Sequence, residues 1–205
     1  MNFKKDKYII KRKVISNELC EFFYNYFYLK LKVADTLFKT TYISPTDTDW
    51  GSWRDPQVPN TYAVYSDIAM ETLLMKLKPM MEKETGLKLI ETYSFARVYK
   101  QGDVLKKHFD RKSCDVSTTL NLGGDPWPIF LKDKKKKTIK VDLKPGDMLI
   151  YSGCELEHWR DELKGIKCVQ TFLHYNKIKA KSRSPFDNRL HLGLPHWFKE
   201  KKFTK

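Results

Sequence analysis

The sequence predicts a mainly β fold with flanking α-helices, and three observations carry that prediction. Apolar residues recur at helical spacing only in the first 86 positions. Beyond Gly86 the chain breaks into short segments of strand character divided by turn signals such as "GGDP" and "KPGD". With 205 residues, of which 41% are hydrophobic and 14% aromatic, the chain has enough apolar surface for one sizeable core.

The first helix is predicted in "SNELCEFFYNYFYLKLK", with Ser16 as N-cap and Glu18 and Glu21 favourably placed near its start. Leu19, Phe22, Phe23, Tyr26 and Phe27 give it an aromatic stripe suited to core packing. "TDTDWGSWRDPQVPN" reads as a loop. A second helix is expected from near Ser66, with Ile68, Met70, Leu73, Leu74, Leu77 and Met81 on its apolar face and Gly86 as its stop. Pro79 should kink or split it.

The strand candidates are "TYSFARVY", "VSTTLNL", "PIFL", "TIKVDL", "MLIYS" and "CVQTFLHY", which suggest a sandwich or barrel-like β core. In the first of these, Tyr93, Phe95, Arg97 and Tyr99 fall on one side. "KDKKKKT" lies between two strands and reads as a solvated hairpin tip whose lysines discourage edge pairing. We expect a single domain over 1–205, with 1–86 as helical N-terminal support, 87–176 as β core and 177–205 as a basic tail that packs as a flap or borders the site entrance.

The net charge of +14 fits an anionic partner, although the lysines are scattered along the chain. Four cysteines without a C-x-x-C pair lack the usual zinc spacing and suit a reducing, cytoplasmic setting. No apolar run approaches the roughly 20 residues of a membrane-spanning helix. A membrane partner is therefore not expected.

Chemistry concentrates in "VLKKHFDRKSCDV". In a strand, residues two apart share a face, so His108 and Asp110 would project side by side. A further histidine would complete two imidazoles and one carboxylate, a set that leaves positions free on non-haem Fe(II). His158, His174, His191 and His196 are the candidates. His158 has the best context, because "KPGDMLIYSGCELEH" supplies a turn, an apolar strand and a short loop before it. Nine residues on, Lys167 shares a face with Val169, Thr171 and Leu173, where an ammonium is costly without an anion. His174 has Arg183 at the same spacing, but in a segment with no strand pattern, and strand parity turns His174 to the side opposite Lys167.

"SFARVYKQGDVLKKHFD", "CDVSTTLNLGG", "KPGDMLIYSGCELEH" and the basic residue nine positions later, in this order over about residues 10–176, resemble the prolyl-4-hydroxylase-like branch of the 2-oxoglutarate- and Fe(II)-dependent dioxygenases. "NLGGDPWPIFL" and "FLHY" resemble a phage-encoded subgroup. The resemblance implies a double-stranded β-helix, or jelly-roll, core. It implies His108, Asp110 and His158 as iron ligands, Lys167 on the C5 carboxylate of 2-oxoglutarate and Tyr99 as a second contact to that cosubstrate. The tyrosine often found in the "VSTTLNL" strand is replaced by Thr119 or Asn121, and Arg97 has no counterpart. The implied reaction is hydroxylation of an unactivated C–H, most readily of a peptidyl residue such as proline, with O2 consumed and succinate and CO2 as co-products. The alternative is a catalytically inactive jelly-roll module that binds an acidic protein or nucleic acid.

Overall fold

A computed structural model describes residues 2–44, 46–180 and 184–198. Two antiparallel sheets face each other, as the strand-rich second half of the sequence predicts. Ten strands form them: β1 (Tyr8–Lys11), β2 (Tyr62–Tyr65), β3 (Leu89–Lys100), β4 (Leu105–His108), β5 (Val116–Gly124), β6 (Ile129–Lys132), β7 (Thr138–Val141), β8 (Met148–Tyr151), β9 (His158–Arg160) and β10 (Lys167–Lys177). The larger sheet has the order β1-β8-β5-β10-β3-β2 and the smaller one β4-β9-β6-β7. The fold is the expected jelly roll. Two of its strands, β1 and β2, come from the segment expected to supply only helical support.

Among the described residues three α-helices accompany the sheets: α1 (Phe3–Asp6), α2 (Asn17–Lys39) and α3 (Ile68–Thr85). The Ser16 side chain caps α2 by accepting from the Leu19 amide at 3.2 Å. For α3 the cap is Asp67, which accepts from the Ala69 and Met70 amides, so the helix begins at Ile68, two residues past Ser66. Gly86, in the left-handed region at φ 66°, ends it. The helix runs through Pro79. Pro79 and Met75, whose carbonyl loses its partner, both lie on the exposed side, where water can take up the bond.

Strand alternation divides the core. Val116, Leu120, Leu122, Met148, Ile150, Val169 and Leu173 leave the larger sheet on its outer face and pack with Phe23 and Phe27 of α2 and Leu74, Leu77 and Met81 of α3. The intervening residues of the same strands point inward, toward the smaller sheet, and this inner face carries the polar groups. The lysine run forms the β6–β7 turn, with Asp133 accepting from the Lys135 and Lys137 amides and Lys134–Lys137 exposed. The hairpin-tip reading therefore holds. Its second strand, β7, is the edge of the smaller sheet.

In the tail, the described residues 184–198 pack back on the body. Arg189 is buried and reaches Glu71 of α3 at 2.7 Å. Arg183 lies outside the described residues.

Candidate metal centre

The two histidines are brought together by register. His108 ends β4, His158 begins β9, and the two are Cα partners in an antiparallel pair. Residues directly opposite each other project to one face, so the rings meet with centroids 4.2 Å apart. Asp110 arrives differently. The H-x-D pair does not lie in one strand, because β4 stops at His108 and Asp110 sits in the turn that follows. A backbone bond from the Asp110 amide to the Gly153 carbonyl, 2.9 Å, fixes that turn, and Phe109 is left exposed.

Asp110 Oδ1 lies 3.6 Å from His108 Nε2 and 3.4 Å from His158 Nε2. Two ligands about 2.1 Å from one ion at right angles stand about 3 Å apart, so these spacings suit a common ion. The ring orientations suit it too. His108 Nδ1 lies 2.8 Å from the Lys106 carbonyl and His158 Nδ1 2.9 Å from that of Leu156. A carbonyl only accepts, so each Nδ1 carries the proton and each Nε2 presents a lone pair. Two lone pairs and a carboxylate oxygen that converge in this way call for a cation between them. Burial pushes the Asp110 carboxyl up, but with no cation between them a proton on either Nε2 would be donated to Oδ1, and the imidazoles then outweigh burial and hold the carboxyl well below the usual carboxylate range.

Asp110 Oδ2 accepts a 2.5 Å hydrogen bond from Ser117 of β5, and the same hydroxyl lies 3.1 Å from Nδ1 of His174 on β10. His174 is buried and stacked on Tyr93 with centroids 4.5 Å apart. Burial lowers its pKa to about 4, against the pull of Asp110. His174 thus faces the site, on the side of β10 opposite Lys167, but behind Asp110 rather than beside the two other imidazoles.

The triad opens into a cavity of about 350 Å³ walled by Tyr93, Phe95, Arg97, Tyr151 and Phe172. Its mouth continues into a cleft that shares Asp55, Tyr65, Phe95 and Arg111 with it and is bordered by Asp187 and His196 of the tail. Arg97, which the sequence left unplaced, is buried and paired with Asp55 at 2.7 Å and Gln57 at 2.8 Å.

Lys167 does not enter this interior. Its side chain lies on the outer face of the larger sheet, with Nζ 3.9 Å from the ring centroid of Tyr28 on α2. The face it shares with Val169 and Leu173 packs against the helices, so the ammonium expected on a cosubstrate carboxylate is met by an aromatic ring instead. Tyr99 does point inward. It is wholly buried, packs edge-on against Trp127 and has its hydroxyl 3.5 Å from Arg97.

A further buried cation stands on the strand that carries His158. Arg160 lies two positions after it on β9 and is 1% exposed, packed behind the residues that line the cavity and not among them. Its guanidinium donates to the Trp127 carbonyl, to Thr119 Oγ1 at 3.1 Å and to Gln170 Oε1 at 3.3 Å. Its Nε has no hydrogen-bond partner, and among the described residues no carboxylate lies within ion-pair reach of it. The strand "HWR" carried the signal, since alternation places Arg160 on the face of His158.

No family model matches the chain, and no curated protein matches it in sequence. Solved structures do share its fold. A prolyl-4-hydroxylase from Pseudomonas putida superposes with a TM-score of 0.60 at 12% identity, covering 85% of this chain and 95% of that one. HygX from Streptomyces hygroscopicus, with nickel and 2-oxoglutarate bound, gives 0.59 at 13%, covering 86% and 85%. SnoK, a non-heme alpha-ketoglutarate-dependent carbocyclase from nogalamycin biosynthesis, gives 0.65 at 12%, covering 94% and 90%. At such identities the likeness is one of fold.

Proposed function

We propose that this protein is a 2-oxoglutarate- and Fe(II)-dependent oxygenase that hydroxylates an unactivated C–H. The observation that carries the reading is the convergence of His108 Nε2, His158 Nε2 and Asp110 Oδ1 at the base of a cavity, with donor sets oriented for a cation. These three residues would hold the iron on one face. Bound there, iron would activate O2, which is the oxidant, with 2-oxoglutarate as co-reductant: one oxygen atom would enter the substrate as hydroxyl and the other the carboxylate of succinate as CO2 leaves. That the shared fold occurs with nickel and 2-oxoglutarate bound in HygX supports the same pairing here.

The protein's own part is binding, orientation and exclusion of water. Arg160 serves as the counter-charge for the distal carboxylate of 2-oxoglutarate, in place of Lys167. A guanidinium cannot shed its charge, so burial without an acid leaves it in want of an anion. Thr119 and Gln170 hold its guanidinium by accepting hydrogen bonds from it. Tyr151 stands beside His158, its hydroxyl 3.3 Å from Nε2, and the rings of Tyr93, Phe95 and Phe172 keep the cavity wall dry.

For the primary substrate we propose a peptidyl residue such as proline. The open cleft beyond the mouth and its aromatic wall of Tyr65 and Phe95 suit a peptide presenting a small apolar ring, and one protein of the same fold is a prolyl-4-hydroxylase.

The test is anaerobic addition of Fe(II) and 2-oxoglutarate, which should produce a weak visible charge-transfer band. Admission of air with a peptide panel should then release succinate and add the mass of one oxygen atom to the substrate. A protein that gives no band with saturating Fe(II) and 2-oxoglutarate overturns the reading. A band without peptide oxidation overturns only the substrate class.

A further inference from the structure

The second oxygen of Asp110 is engaged away from the metal side, and by a chain of contacts that has no other evident use. We infer that Ser117, itself held by His174, restricts Asp110 to a single ligating oxygen and so keeps one position on the ion free for the reactants. The inference rests on the oxygenase reading and adds to it a positioning pair.

The geometry is one-sided. Oδ1 faces both imidazoles, while Oδ2 accepts the Ser117 hydroxyl at 2.5 Å. Ser117 has one proton to give, and an ionised carboxylate can only accept, so that proton belongs to Oδ2. His174 Nδ1, 3.1 Å from Ser117 Oγ, must then be the donor to that hydroxyl. The stack on Tyr93 holds the His174 ring in that orientation. Each group in the sequence Asp110–Ser117–His174 is thus fixed by the next.

Gly153 closes the arrangement from behind. A Cβ there would stand 2.0 Å from Asp110 Oδ2 and 2.5 Å from Ser117 Oγ. Its φ is not positive, so glycine is required by this close approach and not by its backbone. The same residue accepts the Asp110 amide through its carbonyl. Carboxylate and hydroxyl therefore occupy the space any side chain at 153 would need.

The chemical consequence concerns coordination number. An octahedral ion with three protein ligands has three positions left, two for a chelating keto acid and one for O2. A carboxylate free to turn can bind through both oxygens. That second oxygen would compete with the reactants. A charge-assisted bond from Ser117 opposes this turn.

The experiment uses the full chain loaded anaerobically with Co(II), with Ser117→Ala and His174→Phe as variants. The infrared splitting between the asymmetric and symmetric carboxylate stretches is read with isotopically labelled aspartate, beside cobalt affinity and the 2-oxoglutarate affinity of the loaded protein. We expect the wide splitting of a one-oxygen ligand in the parent protein and a narrowed one in Ser117→Ala. Cobalt should be held as tightly or more tightly there, while 2-oxoglutarate binds about tenfold more weakly. His174→Phe keeps a stacked ring and should shift the same way by less. Unchanged splitting and 2-oxoglutarate affinity in Ser117→Ala overturn the inference, as does a loss of cobalt affinity with the splitting unchanged. A parent protein that takes up no cobalt overturns the oxygenase reading instead, so the two failures are distinct.

Discussion

Two buried arginines carry opposite lessons. Arg189 is 3% exposed and lies against Glu71, itself 2% exposed, with both guanidinium branches on the carboxylate at 2.7 and 3.2 Å. The same carboxylate accepts the amides of Ser94 and Gly193. That site is saturated, and its effect is to fasten the tail to α3. Arg160 is buried as deeply, yet among the described residues it meets only neutral oxygens and the ring of Trp127, 4.9 Å away. A saturated pair is architecture. A buried cation without an acid is a site prepared for one. Burial opposes the charge on Arg160 and nearby Cys168, Tyr99 and Tyr151 only partly offset it, so its pKa is lowered.

The comparison breaks first at the saturated site. Glu71→Ala leaves Arg189 buried without its counter-ion, and breaking a buried pair in this way costs about 3–5 kcal/mol. Urea denaturation should show that loss as a lower midpoint at unchanged slope. A loss below about 1 kcal/mol would mean that the tail contributes little and that the two arginines do not differ in kind.

His174 sharpens the contrast, because it is a buried group that can discard its charge. Its folded pKa of about 4 lies below its ordinary 6.5, so the unfolded chain binds more protons between those values. Stability from this group is complete above pH 6.5 and declines as pH falls toward 4, by about 3 kcal/mol in all. Metal-free protein should show that decline and His174→Phe should lack it. Equal slopes in the two proteins would show that His174 is not held neutral. Arginine has no such escape, which is why Arg160 needs an anion.

Arg160→Met is the direct test of the prepared site. The variant should fold with stability within about 1 kcal/mol of the parent, since the lost hydrogen bonds are offset by removal of an uncompensated charge. Its 2-oxoglutarate affinity should fall by about 1.5–3 kcal/mol, roughly 10–100-fold, as for hydrogen bonds to a charged group. A 2-oxo monoacid of similar length should bind parent and variant alike. If Arg160→Met binds 2-oxoglutarate as the parent does and Arg97→Met does not, the anchor is Arg97, with Asp55 displaced by the ligand.

The sequence disclosed the fold and the triad for different reasons. Strand alternation and turn signals marked the β core, because a sheet packed on both faces still repeats every two residues. H-x-D was noticed on the premise of a shared strand, and the structure supplies another cause. The histidines meet through β4–β9 register, and Asp110 is turned in by its bond to Gly153. Such a turn depends on a contact 43 positions away, which local patterning does not encode. Ser117 was hidden likewise, as one hydroxyl among four in "VSTT" and the residues around it. Spacing from His158, the cost of an ammonium on an apolar face and the family resemblance together point to Lys167. Parity carried the better information, because a strand that turns His174 inward must turn Lys167 outward.

Lys167 therefore provides the smallest and most discriminating effect. Its ammonium sits over the ring of Tyr28 at the start of β10, a solvent-facing cation–π contact. The lysine also lowers the pKa of the Tyr28 phenol through a hydrogen bond and its charge. Lys167→Ala should thus leave the stability of the fold little changed and raise the phenol's titration point, read by ultraviolet absorbance. Affinity for 2-oxoglutarate should stay at the parent value. A lysine that anchored the distal carboxylate would behave in the opposite way, with the cosubstrate lost and Tyr28 unmoved. Because one side chain cannot satisfy both a ring outside the sheet and an acid inside it, this pair of readings decides which face of β10 binds the anion.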